Sequence, residues 1–332
     1  MMKTFLILFC LFVSASAIAK AKVSYTEIDF INPTTQQPLK ISLWYPAGEE
    51  CGNATVCLAD NTIQSQAILL SHGAMGSARE LNWIGYATAS QGFVTVGINH
   101  FGESWAYGTD TIDPHVASKI WQRASEVSVA VDLLESNRTN DQVNLDLFNL
   151  KINWQNITAI GFSSGGSTVI TLAGGRYAPK QGVKYCSSSR SDGDLGCQYV
   201  KNSSHQAISI EGAKDDYRDT RINKVIALDP AAGPMTTETS LSGIAIPVLI
   251  IGAKQNDFLP FANHAQYYAS TIPNAALYTL ENGAGHFVFI DKCQHNFKAM
   301  GIELCRDKQG VDREKIHQQL YPTLFQFIYT GR

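Results

Sequence analysis

Four side chains stand where chemistry could be done: Ser163 in "IGFSSGGS", Asp229 in "VIALDP", Asp257 in "AKQNDFLP" and His286 in "NGAGHF". A serine hydroxyl is a weak nucleophile until a neighbouring base takes its proton, and an acid behind that base must hold one imidazole tautomer and stabilise its charged form. Ser, acid and His, in that chain order, supply the three parts. Ser163 is expected as the nucleophile because Gly161 and Gly165 lie two residues to either side, where a sharp strand-to-helix bend leaves little room for Cβ atoms. Its hydroxyl would stand at the amino end of a helix, where N–H groups and the dipole favour developing negative charge. Ser164 and Ser167 read as the next helical residues. His286 is expected as the base, carried on a loop made flexible by Gly283 and Gly285. Asp257 and Asp229 both end strands between Ser163 and His286, so either can be the acid.

The elements able to hold these groups are legible around them. From Ala67 onward the short apolar runs "AILLS", "FVTVGINH", "ITAIGFS", "KVIALDP", "IPVLIIGA" and "AALYTL" alternate with helical stretches expected over 79–91, 115–135, 164–172 and 312–329. Strands apolar on both faces and separated by helices predict an α/β fold with a mostly parallel central sheet and helices on both faces. Such sheets carry ligands at the carboxyl ends of their strands, which is where all four candidates fall. Ahead of them, "VSYTEIDFI" and "LKISLWYP" flank the turn "NPTTQQP" and predict an antiparallel edge. Over 176–221 the alternation stops, and a polar, Ser-rich stretch with two cysteines follows the nucleophile helix. It is expected to form a disulfide-stapled flap over the pocket, with a disordered excursion as the alternative.

Taken together, "LLSHGAMGS", "WQRASEVSVAVDLL", "IGFSSGGS", "VIALDPAAGP", "IPVLIIGAKQNDFLP" and "NGAGHFVFIDKC" resemble the α/β-hydrolases. Within them the likeness is to the exported dienelactone-hydrolase-like branch, related to platelet-activating-factor acetylhydrolases and bacterial polyester hydrolases. The resemblance implies the α/β-hydrolase fold and a secreted serine carboxylic ester hydrolase that works through an acyl-enzyme and needs no cofactor. It implies Asp257 as the acid, after the penultimate strand, with Asp229 as the alternative at the acetylhydrolase position. The Ser164 N–H is the oxyanion donor expected after the nucleophile, and the resemblance adds Ala74, with Met75 as its alternative. The bland reading of "HGAMG", a Gly-rich turn, fits the same geometry. His72, Phe101 and Trp105 are expected around the substrate pocket, and Arg123 and Glu126 as a surface or helix-packing pair. True dienelactone hydrolases use a cysteine where this chain has Ser163, so the lactone substrate is not carried over. A phospholipase A2- or acetylhydrolase-type lipid esterase, a polyesterase and, in another class, a noncatalytic binding protein on the same scaffold are the competing readings.

The wider sequence bounds these possibilities. Residues 1–19 carry Lys3, an apolar run and small residues at Ala15 and Ala17, the pattern of a secretory signal peptide. The rest, 20–332, shows no repeat or linker and reads as one domain in the periplasm or outside the cell. Removing Cys10 with the signal leaves six cysteines in three close couples, expected as Cys51–Cys57, Cys186–Cys197 and Cys293–Cys305. No C-x-x-C is present and no His stands at ligand spacing from a Cys pair, so no metal site is expected. A net charge of −3 without a Lys/Arg cluster argues against nucleic acid as a partner, and no apolar run approaches the ~20 residues of a membrane span. The partner left is a small-molecule or lipid-like ester.

Overall fold

The computed structural model describes residues 22–49, 56–136, 152–199, 210–281, 283–293, 298–299 and 302–332. The signal segment, Cys51 and the stretch 200–209 of the insertion lie outside the described residues. An antiparallel pair, β1 (Val23–Ile31) and β2 (Pro38–Pro46), leads into β3 (Ala67–Ser71), β4 (Val94–Asn99), β5 (Ile157–Phe162), β6 (Ile222–Leu228), β7 (Val248–Ala253) and β8 (Ala275–Leu280). They form one eight-stranded sheet in the order β1-β2-β4-β3-β5-β6-β7-β8, antiparallel at β1, β2 and β4 and parallel from β4 through β8. Every residue of β3, β4, β5 and β7 is buried, as a sheet covered on both faces requires.

Two apolar cores flank the sheet. On one face, α2 (Gln122–Glu135), α3 (Ser164–Leu172) and α5 (Ala265–Thr271) pack Val127, Val131, Val169 and Tyr268 against Leu69, Val96 and Ile250. On the other, α1 (Asn82–Ser90) and α6 (Arg313–Thr330) pack Ile84, Leu320 and Phe327 against Ile68, Ile160 and Ile251. The helix expected over 79–91 is a tight turn, Ala78–Leu81, running into α1, and the one expected over 115–135 is a short turn, Pro114–Ala117, followed by α2. This is the α/β-hydrolase architecture.

The parallel register decides where the loops emerge. Ser71 pairs with Gly161, Phe162 with Leu228, and Leu228 with Ile251, so β3, β5, β6 and β7 end nearly level. The order also reverses at β3: the chain first adds β4 on one side and then β5 on the other. Loops leaving β3 and β5 therefore part in opposite directions and leave a crevice between them. The insertion begins with α4 (Pro179–Cys186) and is stapled by Cys186–Cys197; a second disulfide, Cys293–Cys305, closes the loop before α6. Cys57 is disulfide-bonded as well. Among the described residues no helix is long and apolar enough to cross a membrane.

Candidate active site

At the end of β5 the chain turns into α3 through Ser163, held at φ 54° and ψ −116°. A positive φ on a residue with a Cβ costs about 1–3 kcal/mol and persists only where its surroundings fix it. They do so here: Ser163 N–H donates to Leu228 O at 2.9 Å, and Ala231 N–H donates to Ser163 O at 3.0 Å. Both flanking glycines are required by the closeness of the backbone. A Cβ on Gly161 would lie 2.0 Å from Gly165 O, and one on Gly165 would lie 1.9 Å from Ser71 O.

His286 enters from the turn after β8, its Nε2 3.0 Å from Ser163 Oγ. The ring is buried, lies parallel to Phe258 at a centroid distance of 5.2 Å and tilts against Phe162 at 4.8 Å. Its Nδ1 edge faces two side chains, Asp229 Oδ2 at 3.4 Å and Asn256 Nδ2 at 3.2 Å. Asp229 is itself buried, and its Oδ1 accepts the Ala253 N–H at 2.9 Å. Burial pushes its carboxyl above the ordinary range, while the hydrogen bond and charge of His286 act the other way.

Asp257, the acid preferred from sequence, is turned away from the ring. Its Oδ1 accepts the backbone N–H of His286 at 2.9 Å, and its Oδ2 lies 3.2 Å from Lys308 Nζ. Partial burial works against its charge, but the His286 N–H and the Lys308 ammonium outweigh it and hold the carboxyl below the ordinary range. The cause is a tight turn after β7. Asn256 Oδ1 accepts the N–H groups of Phe258 and Leu259 at 2.8 and 2.7 Å, which directs residue 256 at the imidazole and leaves 257 on the flank.

The loop after β3 completes the rim. Gly73, Ala74 and Met75 line the same cavity as Ser163, Ser164 and His286. Met75 has φ 57°, and Gly76 N–H closes the turn onto Gly73 O at 3.3 Å. Ser164, the first residue of α3, has no intrahelical partner for its N–H. His72 and Phe101 are not among the cavity residues, whereas Trp105 is. His72 is fully buried beneath the loop: its Nε2 accepts the His100 N–H at 3.2 Å, so Nδ1–H donates to Gly73 O at 2.6 Å. Desolvation, followed by the Arg123 charge, keeps its ring neutral. Phe101 packs edge-on against Tyr107 instead.

Arg123 and Glu126 are not a surface pair. Arg123 is 2 % exposed and its Nη2 donates to His72 O at 2.6 Å, pinning the loop from below. Glu126 Oε2 lies 2.6 Å from His100 Nδ1. Burial and then Glu103 push its carboxyl up to about 8, and burial followed by the Arg123 charge holds His100 well below its ordinary value. Burial thus favours the protonated carboxyl and the neutral imidazole on the two sides of this contact.

The cavity over Ser163 has a volume of about 980 Å³ and is lined mainly by apolar groups, among them Trp105, Ile112, Val183, Met235, Leu259 and Phe287. Glu80 also borders it, its carboxyl pushed up to about 7 by burial against a hydrogen bond from Trp105. The insertion forms one wall through Val183, Tyr185 and Tyr199. It is anchored there by Asp194, which accepts from Tyr185 Oη at 2.9 Å and meets His264 Nε2 at 2.9 Å. His264 is buried at the start of α5. Asn256, Phe258 and His264 are the site residues that sequence reasoning missed. Their signal was position after β7, in the same loop that was searched for an acid.

No protein-family model matches the sequence, and no curated protein matches it. Among solved structures the chain is similar to a ferulic acid esterase from Streptomyces cinnamoneus, with 16% identity, coverage of 84% of this chain and 78% of that chain, and a TM-score of 0.48.

Proposed function

We propose that the chain is an exported serine carboxylic ester hydrolase, one domain over 20–332, working through an acyl-enzyme with Ser163 as nucleophile, His286 as base and Asp229 as acid. The observation that carries this reading is the 3.0 Å contact between His286 Nε2 and a Ser163 hydroxyl presented on a strained elbow. Asp229 replaces Asp257 as the acid because its carboxylate faces Nδ1, whereas that of Asp257 is committed to the His286 main chain. In acylation His286 takes the Ser163 proton as Oγ bonds to the ester carbonyl carbon. The oxyanion is met by the N–H of Ser164 and that of Ala74 or Met75, and removing one such donor typically costs about 2.7–4 kcal/mol. The imidazolium, steadied by Asp229, returns its proton to the leaving alkoxide. Water then repeats the sequence on the acyl-enzyme and releases the acid.

The volume and apolar lining of the cavity support an ester with a bulky apolar portion, and the insertion wall supports a selective role for that segment. The disulfides and the signal-like first residues support export. The test is an organophosphonate probe together with a chain-length series of p-nitrophenyl esters. Wild type is expected to be labelled at Ser163 and to hydrolyse the esters, with activity falling at low pH as the imidazole protonates, and Ser163→Ala is expected to lose both labelling and turnover. A wild type that neither labels nor turns over any ester would favour the binding protein.

A further inference from the structure

The Nδ1 edge of His286 holds an amide that the reaction above does not use. Asn256 Nδ2 donates to Asp229 Oδ2 at 2.8 Å and sits 3.2 Å from His286 Nδ1. Its orientation is fixed from the other end, since Oδ1 accepts two main-chain N–H groups. Asp229 Oδ2 is therefore shared between an amide and an imidazole, while Oδ1 is occupied by Ala253 N–H. The charged or titratable groups around this edge are His286 itself, Asp229 from the end of β6, His264 from the start of α5, and Asp257 with Lys308 on the flank.

We propose that Asn256 is a positioning residue of the triad: its locked amide clamps Asp229 toward Nδ1 and leaves Asp229 as the one carboxyl group facing that edge. The inference rests on the ester-hydrolase reading for its kinetic consequence, but not for its geometry. A second carboxylate at residue 256 would stabilise the imidazolium, because an opposite charge within ~4–6 Å favours the charged form. The two side chains are also interchangeable in principle. An Asn at 229 would accept from Ala253 N–H through Oδ1 and donate toward 256, and an Asp at 256 would keep the Phe258 and Leu259 bonds while accepting Nδ1–H.

Two variants test the proposal. Asn256→Asp keeps the turn's acceptor, and it is expected to move the acid limb of kcat/KM to higher pH by about one unit or more, cutting the rate at pH 6 about tenfold with little loss at pH 9. The exchange Asp229→Asn/Asn256→Asp is expected to recover at least about tenfold of the activity lost in Asp229→Asn alone. A wild-type pH profile in Asn256→Asp, or an exchange variant no better than Asp229→Asn, overturns the proposal; a residue that merely stabilised the loop would lower rates at every pH. If wild type shows neither ester turnover nor labelling, the ester-hydrolase reading fails separately. The His286 ring resonances then decide: a titration midpoint moved upward in Asn256→Asp upholds the clamp, and an unmoved one overturns it.

Discussion

Two neighbouring acidic candidates differ in what they touch, and chain order cannot tell them apart. Asp229 faces the ring nitrogen at 3.4 Å, and Asp257 holds the main-chain N–H of the same histidine at 2.9 Å. Their chemistry should separate accordingly. Asp229→Asn, which leaves the shape intact but removes the charge behind Nδ1, is expected to lower kcat by about 10³–10⁴-fold. Asp257→Asn is expected to cost less than about tenfold in kcat, with about 1 kcal/mol of stability lost from a half-exposed ion pair and one charge-assisted hydrogen bond. Steady-state kinetics and urea titration of both variants check this, and equal losses in kcat would contradict the assignment.

Between neighbouring elements, the loop after β3 is braced by a buried polar layer in which His72 and His100 follow β3 and β4 while Arg123 and Glu126 come from α2. From sequence Arg123 and Glu126 could be read only as a pair three residues apart. Their burial depends on α2 lying across the strand ends, which no local pattern encodes. The layer has a pH signature. Glu126 titrates near 8 when folded, against an ordinary value of 4.5, so the native state keeps a proton that the unfolded chain gives up. Its contribution to stability is fully present below the unfolded value and is lost as pH rises through about 8. Glu126→Gln removes that loss while keeping a donor for His100 Nδ1. Since 18% of the Glu126 side chain remains exposed, the gain is discounted. The variant is expected to exceed wild type by about 1 kcal/mol at pH 9 and to match it near pH 4, measured by urea unfolding at both pH values.

For the molecule as a whole, the insertion ties the cavity wall to the loop that carries Asn256 and Phe258. Cys186–Cys197 closes it, Asp194 docks it on His264, and Leu195 N–H donates to Phe258 O at 2.9 Å, the residue whose ring lies along His286. Replacing both cysteines with serine is expected to destabilise the protein by about 2–3 kcal/mol. On the proposed function it should also flatten the preference across an ester chain-length series while leaving hydrolysis of p-nitrophenyl acetate within about threefold, since the wall is loosened but Ser163, His286 and Asp229 are not. Unchanged selectivity in that series would remove the insertion from the substrate wall.

Sequence alone determined the sheet, the elbow and two of the staples, Cys186–Cys197 and Cys293–Cys305. Parallel buried strands, a bend flanked by glycines and close cysteine couples are local patterns whose physics is complete within a few residues. It also brought Ser163 and His286 into view, because each lies in the loop that follows a strand and parallel strands end on one edge. What only the tertiary structure decided was how side chains from different loops compete for a single nitrogen. Asp229 rather than Asp257 faces the ring because the turn after β7 aims Asn256 inward, and His72 is buried beneath the rim because Arg123 reaches it from a helix about fifty residues away. Such choices turn on shifts of an ångström between elements distant in sequence, and composition, spacing and periodicity carry no information at that scale.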